Sequence, residues 1–448
     1  MKKTLAVLLA AVLFLTLLPM TASATELPGD LNGDGTVGSM DVTLLRRFIV
    51  GGYGVYVTLP VADSVTPEGN ELSVLAPIEE DDAQIAPADV NADGVVGVAD
   101  ITALRRGIVG GYGETLVPSG VYRSAQLDLK DEASLYKLYG RSYVGENGVA
   151  MPWVGNAIEF TALLCGDISL QYTSAENIYI QSYVDGEENL RVRAASGTRQ
   201  VKVAQGIAPG EHTIRLVRDT DISTKGAETF WTSLAFTGVK ASVAPTPQKD
   251  LLIEVTGASV VSGKGALRAG VYTSDDDSHS ATHAFAYLTA QALDADWMLT
   301  ARGGAGVGAT SSVPQPISEF YDYVNPFCGD SRIAYGFERK ADIVVICLGS
   351  NDKCTSEEFQ TLMVDFIDQL RARNGEDTKI IVMYNYMTTS RTNDLIAAAE
   401  TAGVYACRHT KHNDGGASSA TAAAHPGVEG HRIIAEELTA FIRENILA

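Results

Sequence analysis

Two twelve-residue loops that share their ligand and glycine positions, each followed by a similar helix, constrain the fold of this chain more than anything else in it. Asp30-Leu-Asn32-Gly-Asp34-Gly35-Thr36-Val-Gly-Ser-Met-Asp41 places side-chain oxygens at loop positions 1, 3, 5 and 12. Asp89-Val-Asn91-Ala-Asp93-Gly94-Val95-Val-Gly-Val-Ala-Asp100 repeats the arrangement. Glycine at position 6 permits the sharp turn, and the carbonyl at position 7 (Thr36, Val95) supplies a further ligand. Carboxylates this close repel one another without a hard cation between them, so the pattern predicts two structural calcium ions. Each loop runs into the same ending, Arg46-Arg47-Phe-Ile-Val-Gly-Gly-Tyr53 and Arg105-Arg106-Gly-Ile-Val-Gly-Gly-Tyr112, a helix halted by glycines.

The duplicated loop and helix, of EF-hand type, resemble a dockerin, the calcium-dependent module that plugs secreted enzymes of plant-cell-wall degraders into cohesins. The resemblance implies a cohesin partner. It would be met by the residues at loop positions 10 and 11 (Ser39-Met40 and Val98-Ala99) and by the basic pairs Arg46-Arg47 and Arg105-Arg106. An acidic, proline-containing insertion at about residues 57–86 sets this copy apart from the family pattern.

The first 24 residues read as a secretory signal: Lys2-Lys3, the apolar run Leu5–Leu18, then Ala22-Ser-Ala24 as a small-residue cleavage site. No later stretch is apolar for long enough to span a bilayer, so a secreted, extracellular protein without membrane insertion is expected. The net charge of −21 argues against nucleic-acid partners. The five cysteines are odd in number and scattered, and show neither a disulfide framework nor a zinc spacing. Cys328 and Cys354 both fall in loops near the site described below, and a pairing between them is left open.

The expected division is a signal peptide 1–24, a dockerin 25–118, a β-sandwich 119–243, a linker 244–249 and a hydrolase domain 250–448. Between 119 and 243 short alternating strands, such as Ile178-Tyr-Ile-Gln-Ser-Tyr-Val and His212-Thr-Ile-Arg-Leu-Val-Arg, predict a jelly-roll-like antiparallel sandwich. Val184-Asp-Gly-Glu-Glu reads as a hairpin turn, and Trp153, Trp231 and Tyr139 read as core, the alternative being exposed aromatics that bind sugar. Ala244-Pro-Thr-Pro-Gln-Lys249 has the composition of a short stiff linker.

From residue 250 the pattern becomes α/β. Strands are predicted at 251–256, 296–301, 341–348, 379–385 and 403–407, and helices at about 280–293, 355–373, 392–402 and 427–446. Runs such as Ile343-Val-Val-Ile-Cys-Leu suit strands covered on both faces, hence a three-layer, flavodoxin-like parallel sheet. Three strand ends carry chemistry-bearing loops: Gly257-Ala258-Ser259, Arg302-Gly-Gly304-Ala-Gly and Gly349-Ser-Asn351-Asp352; His425 arrives just before the last helix. Ligands bind at that edge of an open α/β sheet.

These four blocks, in this order, resemble the SGNH hydrolase superfamily. The preceding sandwich, with Gly140-Arg141, Ile158-Glu-Phe160 and Gly210 to Asp221, is similar to that of carbohydrate esterase family 2. The resemblance implies a carbohydrate O-acetylesterase acting on acetylated plant polysaccharide or oligosaccharide without a catalytic cofactor. Ser259 would attack the acetyl carbonyl and His425 would move the proton. The Ser259 and Gly304 backbone N–H groups and the Asn351 amide would hold the oxyanion. Two positions depart from the superfamily: Ala258 stands where Gly-Asp-Ser has its carboxylate, and Ala422 where an Asp precedes the histidine by three residues. The Ala423 carbonyl or Asp414 is then left to orient His425. The alternative reading is a weak or inactive hydrolase fold that binds carbohydrate.

Overall fold

The computed structural model describes residues 29, 31, 37–50, 56–57, 76–77, 90, 97–109, 123–221, 229–239, 243–268, 276–326, 331–384, 390–409 and 425–448. They belong to two compact units, Met1–Val121 and Tyr122–Ala448. In the first, α1 (Ser39–Val50) and α2 (Val98–Val109) are the two repeat helices. They enclose a small core of Leu31, Val42, Leu45, Val90 and Leu104. The core carries the duplication: Leu31 and Val90 are position 2 of their loops, and Leu45 and Leu104 are equivalent helix residues. The insertion forms a short antiparallel pair, β1 (Tyr56–Val57) with β2 (Ala76–Pro77).

The second unit joins an antiparallel sheet to a parallel one. Two long strands, β7 (Ala157–Ser174) and β10 (Gly197–Arg218), pair along their whole length, from Gly197 opposite Ser174 to Val217 opposite Ala157. The register shifts between Lys202 and Gly210, where extra residues bend the ribbon. One half of the ribbon is flanked by β8 (Ile178–Val184) with β9 (Glu187–Ala194), and by β4 (Lys137–Tyr139). The other half is flanked by β11 (Thr229–Val239), which carries β3 (Arg123–Asp128) and the hairpin of β5 (Tyr143–Gly145) and β6 (Gly148–Ala150). Side chains from both halves meet in one core, where Phe160 and Phe236 touch edge to face at 5.9 Å. The predicted turn at Asp185-Gly186 has φ of 54° and 87°, suited to joining β8 to β9. Trp153, Trp231 and Tyr139 are all buried. The stretch read as a linker is stitched to this sheet: Ala244–Pro245 forms β12 against Thr161 and Phe160.

The parallel sheet has the order β14 (Asp296–Ala301), β13 (Leu252–Gly257), β15 (Ile343–Cys347), β16 (Lys379–Tyr384), β17 (Tyr405–Arg408). Alternate residues face opposite ways. Ile343, Val345 and Cys347 enter one core with α3 (Phe285–Ala292) and α7 (Val428–Asn445). Val344 and Ile346 enter the other with α4 (Ile317–Phe320), α5 (Ser356–Asn374) and α6 (Thr392–Ala402). Double-sided burial is what selects the unbroken Ile-Val-Val-Ile run. The helix predicted from about 280 begins only at Phe285, because Ser280 and Thr282 direct their hydroxyls to Asp219 instead of continuing a helix.

Polar side chains buried on both sides tie the two sheets together. Arg141 pairs with Glu254 at 2.9 Å and Lys137 with Asp296 at 2.5 Å. Arg215 bonds the Tyr287 hydroxyl at 2.9 Å, Trp297 donates to the Gly155 carbonyl at 2.8 Å, and Trp297 stacks on Tyr139 at 3.8 Å. The antiparallel unit is therefore a wall of the α/β unit and holds the sheet edge from one side. No helix among the described residues is long and apolar enough to cross a membrane.

Candidate active site and calcium loops

Strand β13 stops at Gly257, where a Cβ would lie 2.6 Å from the Cys347 carbonyl of the neighbouring strand. Only glycine lets the chain turn there while β13 and β15 stay paired. The chain then coils tightly, with Val261 N–H and Ser262 N–H both donating to the Ala258 carbonyl. Ser259 is carried, half-buried, on the outside of this coil. Its hydroxyl lies 2.7 Å from His425 Nε2, across 166 residues of sequence. His425 sits just before α7, as predicted, and the helix fixes its approach to the sheet edge.

After β14, Arg302 N–H donates to the Gly257 carbonyl at 3.1 Å, so the Gly303–Gly304 turn starts beside the serine. Gly304 has φ 86°, a conformation strained for any side chain, and a Cβ there would meet Ser312 at 2.8 Å. After β15, the half-buried Asn351 donates one amide hydrogen to the Ala305 carbonyl at 2.9 Å. A primary amide has a second N–H. Asp352 accepts from Gly308 N–H at 2.9 Å, and burial pushes its carboxyl above the usual range, against the pull of that N–H and of Arg391. The turn 303–308 is therefore shaped by its neighbours and not by its own contacts alone.

Ser259, Gly304, Asn351 and His425 thus come from four separate segments brought to one end of the parallel sheet. The arrangement has the parts for acyl transfer: a hydroxyl within reach of an imidazole, beside a glycine turn and a side-chain amide. His431, one turn into α7, is fully buried; its Nδ1 accepts from Phe285 N–H at 3.2 Å, and burial pushes its pKa down to about 3, with His425 and His283 adding to the effect. His279 is also buried near the site, pushed down to about 4 by burial, then by Lys264, His425 and Arg191. Sequence reading did not single out His279, Lys264 or Asp221, whose neighbours lie far along the chain. Asp414 and Ala423 lie outside the described residues, and so does Cys328; Cys354 is half-buried.

Of the proposed calcium ligands, Asp30, Asn32, Asp34, Thr36, Asp89, Asn91, Asp93 and Val95 lie outside the described residues. The two twelfth-position carboxylates are described, and both are buried in the first turn of their helix. Asp41 accepts from Leu31 N–H and Gly38 N–H, each at 2.7 Å, and Asp100 from Gly97 N–H at 2.7 Å. A buried carboxylate is costly without such partners or a cation. Equivalent placement in both copies, clasping its own loop, fits a calcium ligand.

Residues 28–109 match the model of the dockerin type I domain. The chain carries a dockerin type I domain. Domains of this kind bind calcium. The chain is also 26% identical over 414 residues to a cellulase/esterase, CelE, of Acetivibrio thermocellus, covering 81% of this chain and 50% of that one. It is 27% identical over 216 residues to an acetylxylan esterase/glucomannan deacetylase of Cellvibrio japonicus, covering 43% of this chain and 56% of that one. The chain thus spans about half the length of the curated relatives it matches. Among solved structures, a family two carbohydrate esterase from Clostridium thermocellum, in complex with cellohexaose, superposes with a TM-score of 0.62. It is 22% identical and covers 69% of this chain and 99% of that one. Beyond its dockerin, the chain is similar in sequence to these two esterases and has the fold of family two carbohydrate esterases.

Proposed function

We propose that the chain is a secreted carbohydrate O-acetylesterase, docked through its dockerin to a cohesin and acting on acetylated plant polysaccharide of the xylan or mannan type. The observation that carries this reading is the 2.7 Å separation between Ser259 Oγ and His425 Nε2 at the C-terminal edge of the parallel sheet. The activities of the relatives, an esterase and a deacetylase, support it.

In this reading Ser259 Oγ attacks the acetyl carbonyl while His425 Nε2 takes its proton. The tetrahedral oxyanion is received by the backbone N–H groups of Ser259 and Gly304 and by the second amide hydrogen of Asn351. His425 then returns the proton to the departing sugar oxygen, and water releases acetate from the acyl-serine by the reverse sequence. The Ala423 carbonyl is assigned to orient the imidazole, Asp414 being the alternative; both lie outside the described residues. The proposed division is a signal peptide 1–24, a dockerin 25–118 with two calcium ions, a jelly-roll-like sandwich 119–243, a connection 244–249 and a hydrolase unit 250–448. Calcium, held by the two acidic loops, serves the dockerin fold and takes no part at Ser259.

The test is acetate release from acetylated xylan and glucomannan by the wild type and by Ser259→Ala. Release by the first and none by the second is expected. Saturable binding of these polymers with no release by the wild type would instead establish a carbohydrate-binding protein on a hydrolase fold, which the alanines at 258 and 422 would explain.

A further inference from the structure

The loop Gly257-Ala258-Ser259 has no carboxylate, and position 258 is buried among apolar side chains. The Ala258 methyl is buried in the apolar cluster that also holds Ala305, Val307 and Leu348. A carboxylate arrives instead from the antiparallel unit. Asp221 Oδ2 accepts the Gly303 N–H at 2.8 Å and the Ser262 hydroxyl at 3.1 Å. A Cβ built on Gly303 would lie 2.8 Å from Asp221 Oδ2 and 3.9 Å from Ser259 Cβ, so Gly303 is wedged between the carboxylate and the serine. The same Ser262 hydroxyl also reaches the Ser259 carbonyl at 3.1 Å.

We infer that Asp221 is a positioning residue of the active site, lent by the antiparallel unit to hold the Gly303–Gly304 turn in its oxyanion-binding shape. The inference rests on the esterase reading of Ser259 and His425. The carboxylate is held from behind. Arg218, at the end of β10, is buried and donates to the carbonyls of Met151 at 2.7 Å and Asp221 at 3.5 Å, and it pairs with Glu176 at 2.8 Å. Asp219, also buried, accepts from Arg191 at 2.7 Å, from Ser280 Oγ at 3.0 Å and from Thr282 N–H at 2.9 Å. Arg218 and Asp219 lock the strand end against both units; Asp221 then reaches the turn from a fixed point.

The consequence follows from peptide geometry. Gly303 and Gly304 have no side chains to restrict them, and glycine peptides rotate at little steric cost. The Gly303 N–H is the first donor of the turn, and the next N–H is that of Gly304, proposed to meet the oxyanion. Anchoring the first through Asp221, while Thr310 Oγ1 donates to the Gly304 carbonyl at 2.7 Å, fixes the plane between them. Preorganised donors stabilise developing charge because they need not reorient during the reaction. In this role Asp221 acts through the turn.

The experiment compares the full chain with Asp221→Ala and Asp221→Asn. Three readouts are taken: kcat and KM on an acetylated xylo-oligosaccharide, thermal midpoint, and the rate at which diethyl p-nitrophenyl phosphate modifies Ser259. That adduct places a phosphoryl oxygen in the oxyanion position whatever sugar the enzyme prefers. Asp221→Ala should lose about ten- to a hundredfold in kcat and in modification rate with KM nearly unchanged. Asp221→Asn should recover most of both, since a carboxamide oxygen also accepts the Gly303 N–H. If Asp221→Ala does not fold, Asp221→Ser, too short to reach Gly303, takes its place. Wild-type kinetics in Asp221→Ala, a defect confined to KM, or no recovery in Asp221→Asn would each overturn the inference. If the wild type releases no acetate, the esterase reading fails by itself, and the modification rates still decide on Asp221. Equal rates in wild type and Asp221→Ala, or no modification of the wild type, overturn it.

Discussion

Arg141 of the antiparallel unit is ion-paired at 2.9 Å with Glu254, in the middle of the strand that delivers Ser259, and both side chains are buried. Glu254 is completed by the hydroxyls of Thr300 and Tyr321, each at 2.7 Å, and the Arg141 guanidinium lies over the Tyr321 ring at 4.2 Å. Removing one partner of such a pair leaves the other charge buried and uncompensated. Arg141→Met should therefore lower the stability of the unit by about 3–5 kcal/mol, and Arg141→Met with Glu254→Leu should recover part of the loss. Urea unfolding of the three proteins is the measurement. A single variant within about 0.5 kcal/mol of wild type would show that the pair does not hold the two sheets together.

Asn351→Ala should reduce kcat by about a hundred- to a thousandfold and leave KM nearly unchanged. Its amide is assigned to the transition state and not to the ground-state ester. The same change frees the Ala305 carbonyl, so a small fall in thermal midpoint should accompany it. A defect wholly in KM would make Asn351 a substrate-positioning residue.

Acid should destabilise the protein before its carboxylates titrate. His431 is held down to about 3 and His279 to about 4, chiefly by burial, while histidines in the unfolded chain titrate near ~6.5. Between these values the unfolded chain binds more protons than the folded one. Stability is thus fully present above about pH 6.5 and is lost as pH falls toward about 4, by up to ~1.4 kcal/mol per pH unit for each histidine. His431→Asn, which keeps an acceptor for Phe285 N–H, should flatten the slope of stability against pH between about pH 5 and 6.5 by roughly half. An unchanged slope would exclude His431 as a source of the acid sensitivity.

Calorimetric titration of the chelated protein should show two calcium ions, and Asp41→Ala or Asp100→Ala should each remove one. These carboxylates close their loops from the first turn of the helix, where both are buried. Two ions bound by both variants would assign the carboxylates to helix capping alone.

Much of this was legible in the chain because the signals are local. A calcium loop places its ligands within twelve residues, and a strand covered on both faces announces itself as an apolar run, so α1, α2 and β13 to β17 fell close to where they were predicted. β11 was not anticipated. Its inward positions include Thr229, Ser233 and Gly238 beside Trp231 and Phe236, which blurs the alternation that marks a strand. The start of α3 was misplaced for a similar reason, since residues 280–282 bond Asp219, some sixty residues upstream.

The sequence by itself determined which residues stand at the ends of which strands, because period and turn chemistry are written into neighbouring residues. With the resemblance to the SGNH hydrolases, those positions single out Ser259, Gly304 and Asn351, and His425 before the last helix. Only the tertiary structure decided that Ser259 and His425 lie 2.7 Å apart, and that Asp221, beyond the end of β10, accepts the Gly303 N–H beside the serine. A hydrogen bond depends on distance in space and carries no trace in the spacing of the chain. Gly303 and Asp221, 82 positions apart, and Ser259 and His425, 166 positions apart, become partners only in the folded chain.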